Sequence, residues 1–284
     1  MTLRHLTVFT AVADNNCSIT KASESLHVAQ PSVSQTIAEL EQYYNIKLFD
    51  RLNRHLYLTP EGKKLYGYAR HLVGSYKELD TLMKTVSGTL PLRIGASFTA
   101  GTAFLPGILH TVHDLSADIT VCNTHNIEEM ILASTLDAAV VEGEIHSSDI
   151  IQIPVMQDTL IFAAAHSYIL SKEPVFILRE PGSGTRELSD IMIEQVFPDI
   201  KQPRIWTAAN TQTIIELVKN SLGLTIISRS LIQKELDTGI IQQIIFPQNI
   251  QNSSRSRTFR LIYHKDKFLD SRMQKFIQKC RNDQ

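Results

Sequence analysis

The feature that most constrains this chain is the order of apolar and breaker residues between Leu3 and Gly62. Leu3, Leu6, Val8, Phe9 and Val12 recur at helical spacing, which predicts a first helix over Leu3–Ala13. Ser18 is placed to cap a second helix carrying Ile19, Ala22 and Leu26. Val28-Ala29-Gln30-Pro31 interrupts, and Pro31 suits the first turn of a third helix, where its missing N–H costs little. That helix is expected to turn Val33, Ile37, Leu40 and Tyr44 inward and Ser32, Ser34, Gln35 and Thr36 outward. Two helices joined by a short turn, the second polar at its start, make a helix-turn-helix. After Arg51 and Arg54, Leu56-Tyr57-Leu58 reads as the second strand of a basic wing.

Thr59-Pro60-Glu61 starts a further helix, with a capping hydroxyl, a proline and an acid at the positive end of the dipole. From there Leu65, Tyr68, Leu72, Tyr76, Leu79, Leu82, Met83 and Val86 recur every three or four residues. A sustained apolar seam of this kind packs on a copy of itself. Ser87-Gly88-Thr89 is expected to end it as a hinge.

From Leu90 short apolar strands alternate with helices, which predicts parallel sheets covered by helices on both faces. Expected strands are Leu92–Gly95, Ile119–Cys122, Ala138–Val141, Leu160–Ala164, Val175–Leu178, Leu224–Ile227 and Arg260–Tyr263. Expected helices are Gly101–Leu115, Asn126–Ser134, Thr185–Phe197, Thr211–Asn220 and Phe268–Cys280, with Pro247–Ser256 a polar loop.

Charge adds a little. Up to Gly88 there are 10 Lys+Arg against 8 Asp+Glu, a balance of +2, while the remainder holds 18 against 21, a balance of −3. The sign suits a nucleic-acid partner at the N-terminus, but the asymmetry alone decides nothing. Three widely spaced cysteines without a C-x-x-C argue against a disulfide framework or a zinc site. No secretory signal is visible and the apolar runs are too short to cross a bilayer, so a cytoplasmic protein without a membrane partner is expected.

Hydroxyl-bearing turns at strand ends are the second constellation. In Arg179-Glu180-Pro181-Gly182-Ser183-Gly184-Thr185-Arg186-Glu187 the glycines free the backbone, and a helix opening at Thr185 points N–H groups at whatever precedes it. Alone, such a turn more often just caps a helix. Gly95-Ala96-Ser97-Phe98-Thr99, Asn123-Thr124 and Asn210-Thr211-Gln212 lie at comparable strand or helix ends, where open α/β sheets bind ligands. Candidate effector residues are therefore Ser97, Thr99, Thr124, Gly182, Ser183, Gly184, Thr185, Arg186 and Thr211. Arg186 is equally an anion partner or a salt bridge to Glu187, Glu180 or Asp190, and Glu142 is a hinge or interface residue. No H-E-x-x-H, G-x-S-x-G or Walker lysine is present, and His110 and His113 lack thiol or acidic company. No catalytic set, metal site or cofactor is expected.

Leu3–Gly62 resembles the winged helix-turn-helix of LysR-type transcriptional regulators. Phe9, Val12, Ser18, Ala22, Leu26, Val28-Ala29-Gln30-Pro31-Ser32-Val33-Ser34, Ile37, Leu40, Glu41, Leu48-Phe49, Arg51, Arg54, Leu58-Thr59 and Gly62 carry the resemblance. Gln35 departs from it, since family members often hold arginine there. The region from Leu90 onward is similar to the effector domain of these regulators. The phrase Arg179–Arg186 resembles a subgroup tied to sulfur assimilation and carbon fixation, and the chain is short between His166 and Val175, where relatives hold a longer segment.

The resemblance implies an α/β protein of three parts. Residues 1–59 form the winged domain, 60–88 a linker helix and hinge, and 89–284 a periplasmic-binding-protein-like effector domain of two Rossmann-like subdomains (89–162 with 260–284, and 163–259). It implies DNA contacts by Ser18, Gln30, Pro31, Ser32, Ser34, Gln35, Thr36, Arg51 and Arg54. It further implies an inverted-repeat DNA operator, a dimer through the linker helix, a tetramer, and a small anionic metabolite between the subdomains. RNA polymerase is a further partner open to such a protein. The competing readings are a cytosolic solute-binding sensor without operator recognition, and an enzyme whose winged domain only contacts proteins.

Overall fold

The computed structural model describes residues 1–52, 55–84, 90–246 and 256–282. They form two compact units, Met1–Leu90 with Leu132–Thr135, and Pro91–Ile131 with Leu136–Gln284.

In the first unit α1 (Leu3–Asp14), α2 (Ile19–Leu26) and α3 (Gln30–Tyr44) precede a hairpin of β1 (Phe49–Leu52) and β2 (His55–Leu58), then α4 (Pro60–Lys84). The three short helices bury Leu6, Phe9, Val12, Ala22, Val33, Ile37 and Leu40 in one core, joined by Leu48, Phe49, Ala69 and Val73. Ser18 caps α2 by accepting from the Lys21 N–H, and His27 ends it in the left-handed region at φ 54°. Tyr44 was expected inward but is 41% exposed, its ring edge-on to Tyr43. It lies one turn past Leu40, where α3 has already left the core and ends at left-handed Asn45.

Two polar side chains lock the hairpin to the helices on either side. The Glu41 carboxylate accepts from the Leu48 and Phe49 N–H groups at 2.8 and 3.3 Å and from Lys47 Nζ at 2.7 Å. Thr59 Oγ1 donates to the Lys47 carbonyl at 2.7 Å and accepts from the Gly62 N–H at 2.9 Å. Gly62 has no substitute here, because a Cβ would lie 2.1 Å from the Leu48 carbonyl oxygen. The proposed end of the helix at Val86 and the hinge at Ser87-Gly88-Thr89 lie outside the described residues, as does most of the Pro247–Ser256 loop.

The second unit is one mixed sheet flanked by helices. Its strands are β3 (Leu92–Ala96), β4 (Ala117–Val121), β5 (Ala138–Val141), β6 (Ile150–Ala165), β7 (Val175–Leu178), β8 (Arg204–Thr207), β9 (Leu224–Ser228), β10 (Ile241–Gln243) and β11 (Ser256–His264). The order is β4-β3-β5-β11-β6-β9-β7-β8, with β10 on β6. The parallel expectation holds within each trio, β4-β3-β5 and β8-β7-β9. It fails between them, where β6 and β11 run antiparallel.

The 16-residue β6 explains this. Its first part pairs with β11, from Ile150↔His264 to Thr159↔Ser256, and its last part with β9, from Leu160↔Ser228 to Ala164↔Leu224. The boundaries expected near 162 and 259 thus fall inside two strands that run through both halves. Apolar positions of the first half pack on β3, β5 and the helix Ser271–Asn282 through Leu92, Ile94, Val140, Phe259 and Phe276. The second half has a core on each face, one around Phe162, Phe176 and Met192 and one around Ile177, Ile214 and Ile227.

The expected helix Gly101–Leu115 is two, α5 (Phe98–Ala103) and α6 (Leu105–Thr111), because Ser97 caps a start at Phe98, three residues earlier than expected, and Pro106 restarts the chain. The remaining helices are α7 (Thr124–Leu132), α8 (Gly184–Val196), α9 (Thr211–Lys219), α10 (Gln233–Asp237) and α11 (Ser271–Asn282). Strands β8 and β10 and helix α10 were not foreseen; three to five residues carry too little periodicity to show.

Candidate functional sites

On the first unit, the start of α3 presents Gln30, Pro31, Ser32, Ser34 and Gln35 to solvent, while Val33, Ile37 and Leu40 anchor its other face. Gln30 Nε2 donates to Thr20 Oγ1 at 2.9 Å, tying α3 to α2. Gln35 Nε2 donates to Glu39 Oε1 at 2.9 Å, so its carbonyl end is the one turned loose. Thr36 is half-buried, its hydroxyl spent on the Ser32 carbonyl, and the Ser18 oxygen is committed to capping. Arg51 is exposed on β1, and Arg54 lies outside the described residues. A groove of about 300 Å³ between α1 and α3 is lined by Arg4 and Thr7 together with Ser32 and Thr36. Arg4 escaped sequence reasoning because a single exposed arginine at a helix start carries no pattern.

On the second unit the strand-end turns converge, but on a group of the protein's own. Ser97, Thr99, Thr124, Ser183 and Thr185 are all at most 4% exposed. Between Ser97 and Thr185 stands the buried carboxylate of Glu142, one residue past β5. Ser97 Oγ donates to its Oε2, and Thr185 Oγ1 and Arg257 Nη1 approach its Oε1 at 3.5 and 3.3 Å. Arg257 also donates to Thr185 Oγ1 and to Asp158, both at 2.7 Å, and Ser228 donates to the other Asp158 oxygen at 2.8 Å. The Arg257 Nη2 lies 2.7 Å from Asp158 without hydrogen-bond alignment, so Nε makes the directional bond of that pair.

Burying these charges is tolerable only because each has partners; leaving any one alone in the interior is costly. Sequence reasoning missed Asp158 and Arg257, which sit on the two strands that cross between the halves. The acid in Gln157-Asp158-Thr159, a short polar break just before the apolar run Leu160 to Ala165, was the available signal.

The halves also meet backbone to backbone. A Cβ on Gly184 would fall 2.3 Å from Gly143 Cα, and one on Gly143 would fall 2.8 Å from Thr124 Oγ1. Gly182 takes φ +82°, a left-handed turn that glycine adopts freely. Thr124 Oγ1 is buried and has no hydrogen-bond partner among the described residues.

Arg186 takes the salt-bridge alternative here, donating from Nε to both Asp190 oxygens at 2.9 Å and from Nη1 to the Arg179 carbonyl. Thr211 is drawn to a separate group, accepting from Arg179 Nη1 at 3.4 Å. The Arg179 guanidinium pairs with Glu180 through two 2.8 Å bonds and lies over the Phe98 ring at 4.6 Å. His110 and His113 are exposed on and just past α6.

Two family models match the chain. Residues 3–63 match the bacterial regulatory helix-turn-helix protein, lysR family, and residues 87–284 match the LysR substrate binding domain. This chain belongs to the LysR family. It is thus a DNA-binding transcriptional regulator with an effector-binding domain, in a family of regulators and not of enzymes.

The chain is 30% identical to the uncharacterized HTH-type transcriptional regulator YeiE of Escherichia coli K12 over 99% of its length and 97% of that protein. It is 30% identical to the HTH-type transcriptional regulator CysL of Bacillus subtilis over 91% of its length and 89% of that protein. Among solved structures, ArgP from Mycobacterium tuberculosis matches at a TM-score of 0.69 and 15% identity, covering 98% of this chain and 96% of that one. DarR from Vibrio fischeri, solved in complex with DNA, matches at 0.58 and 18% identity, covering 100% and 99%. At these identities the two structures speak for the fold. No helix among the described residues is long and apolar enough to cross a membrane.

Proposed function

We propose that this LysR-family chain binds an inverted-repeat operator as a dimer and changes its hold on that DNA, or the bend within it, when a small anionic metabolite enters between the effector subdomains. The observation that carries the reading is the exposed polar start of α3, anchored by its buried opposite face, with Arg51 exposed on the hairpin that follows. Ser32, Ser34 and Gln35 reach base edges or phosphates, and Arg51 with Arg54 reaches the backbone or minor groove. Ser18, Gln30, Pro31 and Thr36 shape and support that surface.

Residues 1–59, 60–88 and 89–284 act as reader, linker and sensor. In the sensor Ser97, Thr99, Thr124, Ser183 and Thr185, with the Gly182 and Gly184 backbone, line the effector seat; Arg186 and Thr211 lie on its flank. The ligand acts by binding one arrangement of the subdomains more tightly than the other. Four copies, RNA polymerase contact and a cytoplasmic location complete the reading.

A footprint of the DNA flanking its own gene tests it. Ser34→Ala with Gln35→Ala weakens specific binding more than binding to random DNA. Thr99→Ala or Ser183→Ala removes ligand-dependent footprint changes while basal DNA binding persists. Ligand responses unchanged in both single variants would remove the seat from these residues.

A further inference from the structure

The exposed face of α3 is tied back to α1 by one continuous chain of hydrogen bonds. The Thr2 N–H and the Thr2 hydroxyl both meet His5 Nδ1, at 3.2 and 2.7 Å. A ring nitrogen that accepts a backbone N–H leaves the proton to the other one, so Nε2 donates to Glu39 Oε2 at 3.3 Å. The second Glu39 oxygen accepts from Gln35 Nε2 at 2.9 Å. Every donor along the chain faces an acceptor. By itself an i,i+4 pair on an exposed helix face is weak. Here the carboxylate is also held from α1, by a ring whose side chain is only 21% exposed.

We propose that Glu39 is a specificity-determining positioning residue: it fixes which end of the Gln35 amide faces DNA, and so makes the chain choose adenine over guanine at one base pair of each half-site. This rests on the reading that Gln35 reaches base edges. An ionised carboxylate only accepts, so the amide nitrogen must face Glu39; turning the amide over would set oxygen against oxygen. Gln35 is left with Oε1 and its second N–H. Adenine offers their complement in the major groove, an N6 amino group and the N7 acceptor. Guanine shows two acceptors there, O6 and N7, so Oε1 would meet an oxygen. A free glutamine escapes that clash by rotating its amide and donating instead; one held by Glu39 does not. A carboxylate beside the reading face also repels phosphates. Its place there serves rejection of the wrong base and not affinity.

The test is selection by the full chain from DNA duplexes with a randomised centre, read by sequencing the bound fraction. The wild type is expected to enrich a motif in which one position per half-site prefers adenine to guanine by at least about tenfold, the scale of one bidentate contact. Gln35→Ala should erase the preference at that position. Glu39→Ala should bring guanine within about threefold of adenine there, because the amide is then free to turn. Glu39→Gln should do the same, since its own amide donates as well as accepts. Loss of a merely structural support would weaken every position together, so the readout is this single ratio and not the affinity. An adenine preference that Gln35→Ala erases but both Glu39 variants keep overturns the positioning role and leaves Gln35 as the reader. A wild-type preference for guanine at the Gln35-dependent position overturns it as well. A motif that Gln35→Ala leaves unchanged removes the base contact and the positioning together. If no motif is enriched at all, the operator reading falls and takes the proposal with it.

Discussion

At the scale of single residues, a few carboxylates hold positions that hydrophobic contacts cannot specify. Asp137 is buried between Arg93, which bonds it through side chain and backbone, and Lys267 at 2.7 Å. Burial alone would push its pKa up, but the Arg93 hydrogen bonds and the Lys267 charge outweigh that and hold it below the ordinary value. The sign follows: this contribution is fully present above the unfolded value of about 3.9 and is lost as pH falls through the lower folded value. Asp137→Ala should cost about 3 kcal/mol, the low end for breaking a buried pair because Arg93 is partly solvated. Urea melts at neutral pH check the size, and the difference between variant and wild type should shrink below about pH 4. Glu41 on α3 follows the same sign, its desolvation outweighed by Lys47 and by the Leu48 and Phe49 N–H groups. Thr59→Ala, removing the cap between wing and α4, should cost about 1 kcal/mol in the same assay.

At the scale of elements, glycines separate turns that merely bend from turns that touch. Gly184→Ala puts a methyl into the Gly143 backbone, which has no flexible end to move aside, so the sensor halves must part or strain. A destabilisation of about 2 kcal/mol is expected, within the usual range for overpacking. Gly67→Ala on the open face of α4 meets nothing within 4 Å and should instead stabilise by about 0.5–1 kcal/mol, a matched control.

Elements with a sustained period were legible beforehand: Phe9, Ala22, Ile37 and Leu40 mark helix faces that become the core of the reader. The strand-end hydroxyls were legible as a group as well. What the pattern could not show was the centre they surround. Glu142, Asp158 and Arg257 lie up to 115 positions apart, and only the crossing of β6 and β11 brings them together. Nor could the pattern extend the expected strand Leu160–Ala164 back to Ile150, because Gln152, Pro154 and Gln157-Asp158-Thr159 interrupt the apolar run within the 16-residue β6.

At the scale of the whole molecule, the strongest sign of assembly is on α4. Tyr68, Leu72, Tyr76, Leu79 and Met83 follow one another at helical spacing and are each at least 50% exposed. An apolar row of this length is rarely left in water and marks a protein contact. LysR regulators oligomerise, and here the partner proposed is a second α4. Leu72→Glu with Leu79→Glu should convert dimers to monomers in sedimentation at micromolar protein, with the far-ultraviolet spectrum retained. Dimers that persist unchanged would move the interface elsewhere.

The most direct test of the regulator account is a mobility-shift titration of the full chain on DNA flanking its own gene, against random DNA, across a salt series. The account predicts a flanking site bound at least about 10³-fold more tightly than random sequence, with affinity falling steeply as salt rises. Equal affinity for both DNAs, with little dependence on salt, would contradict it.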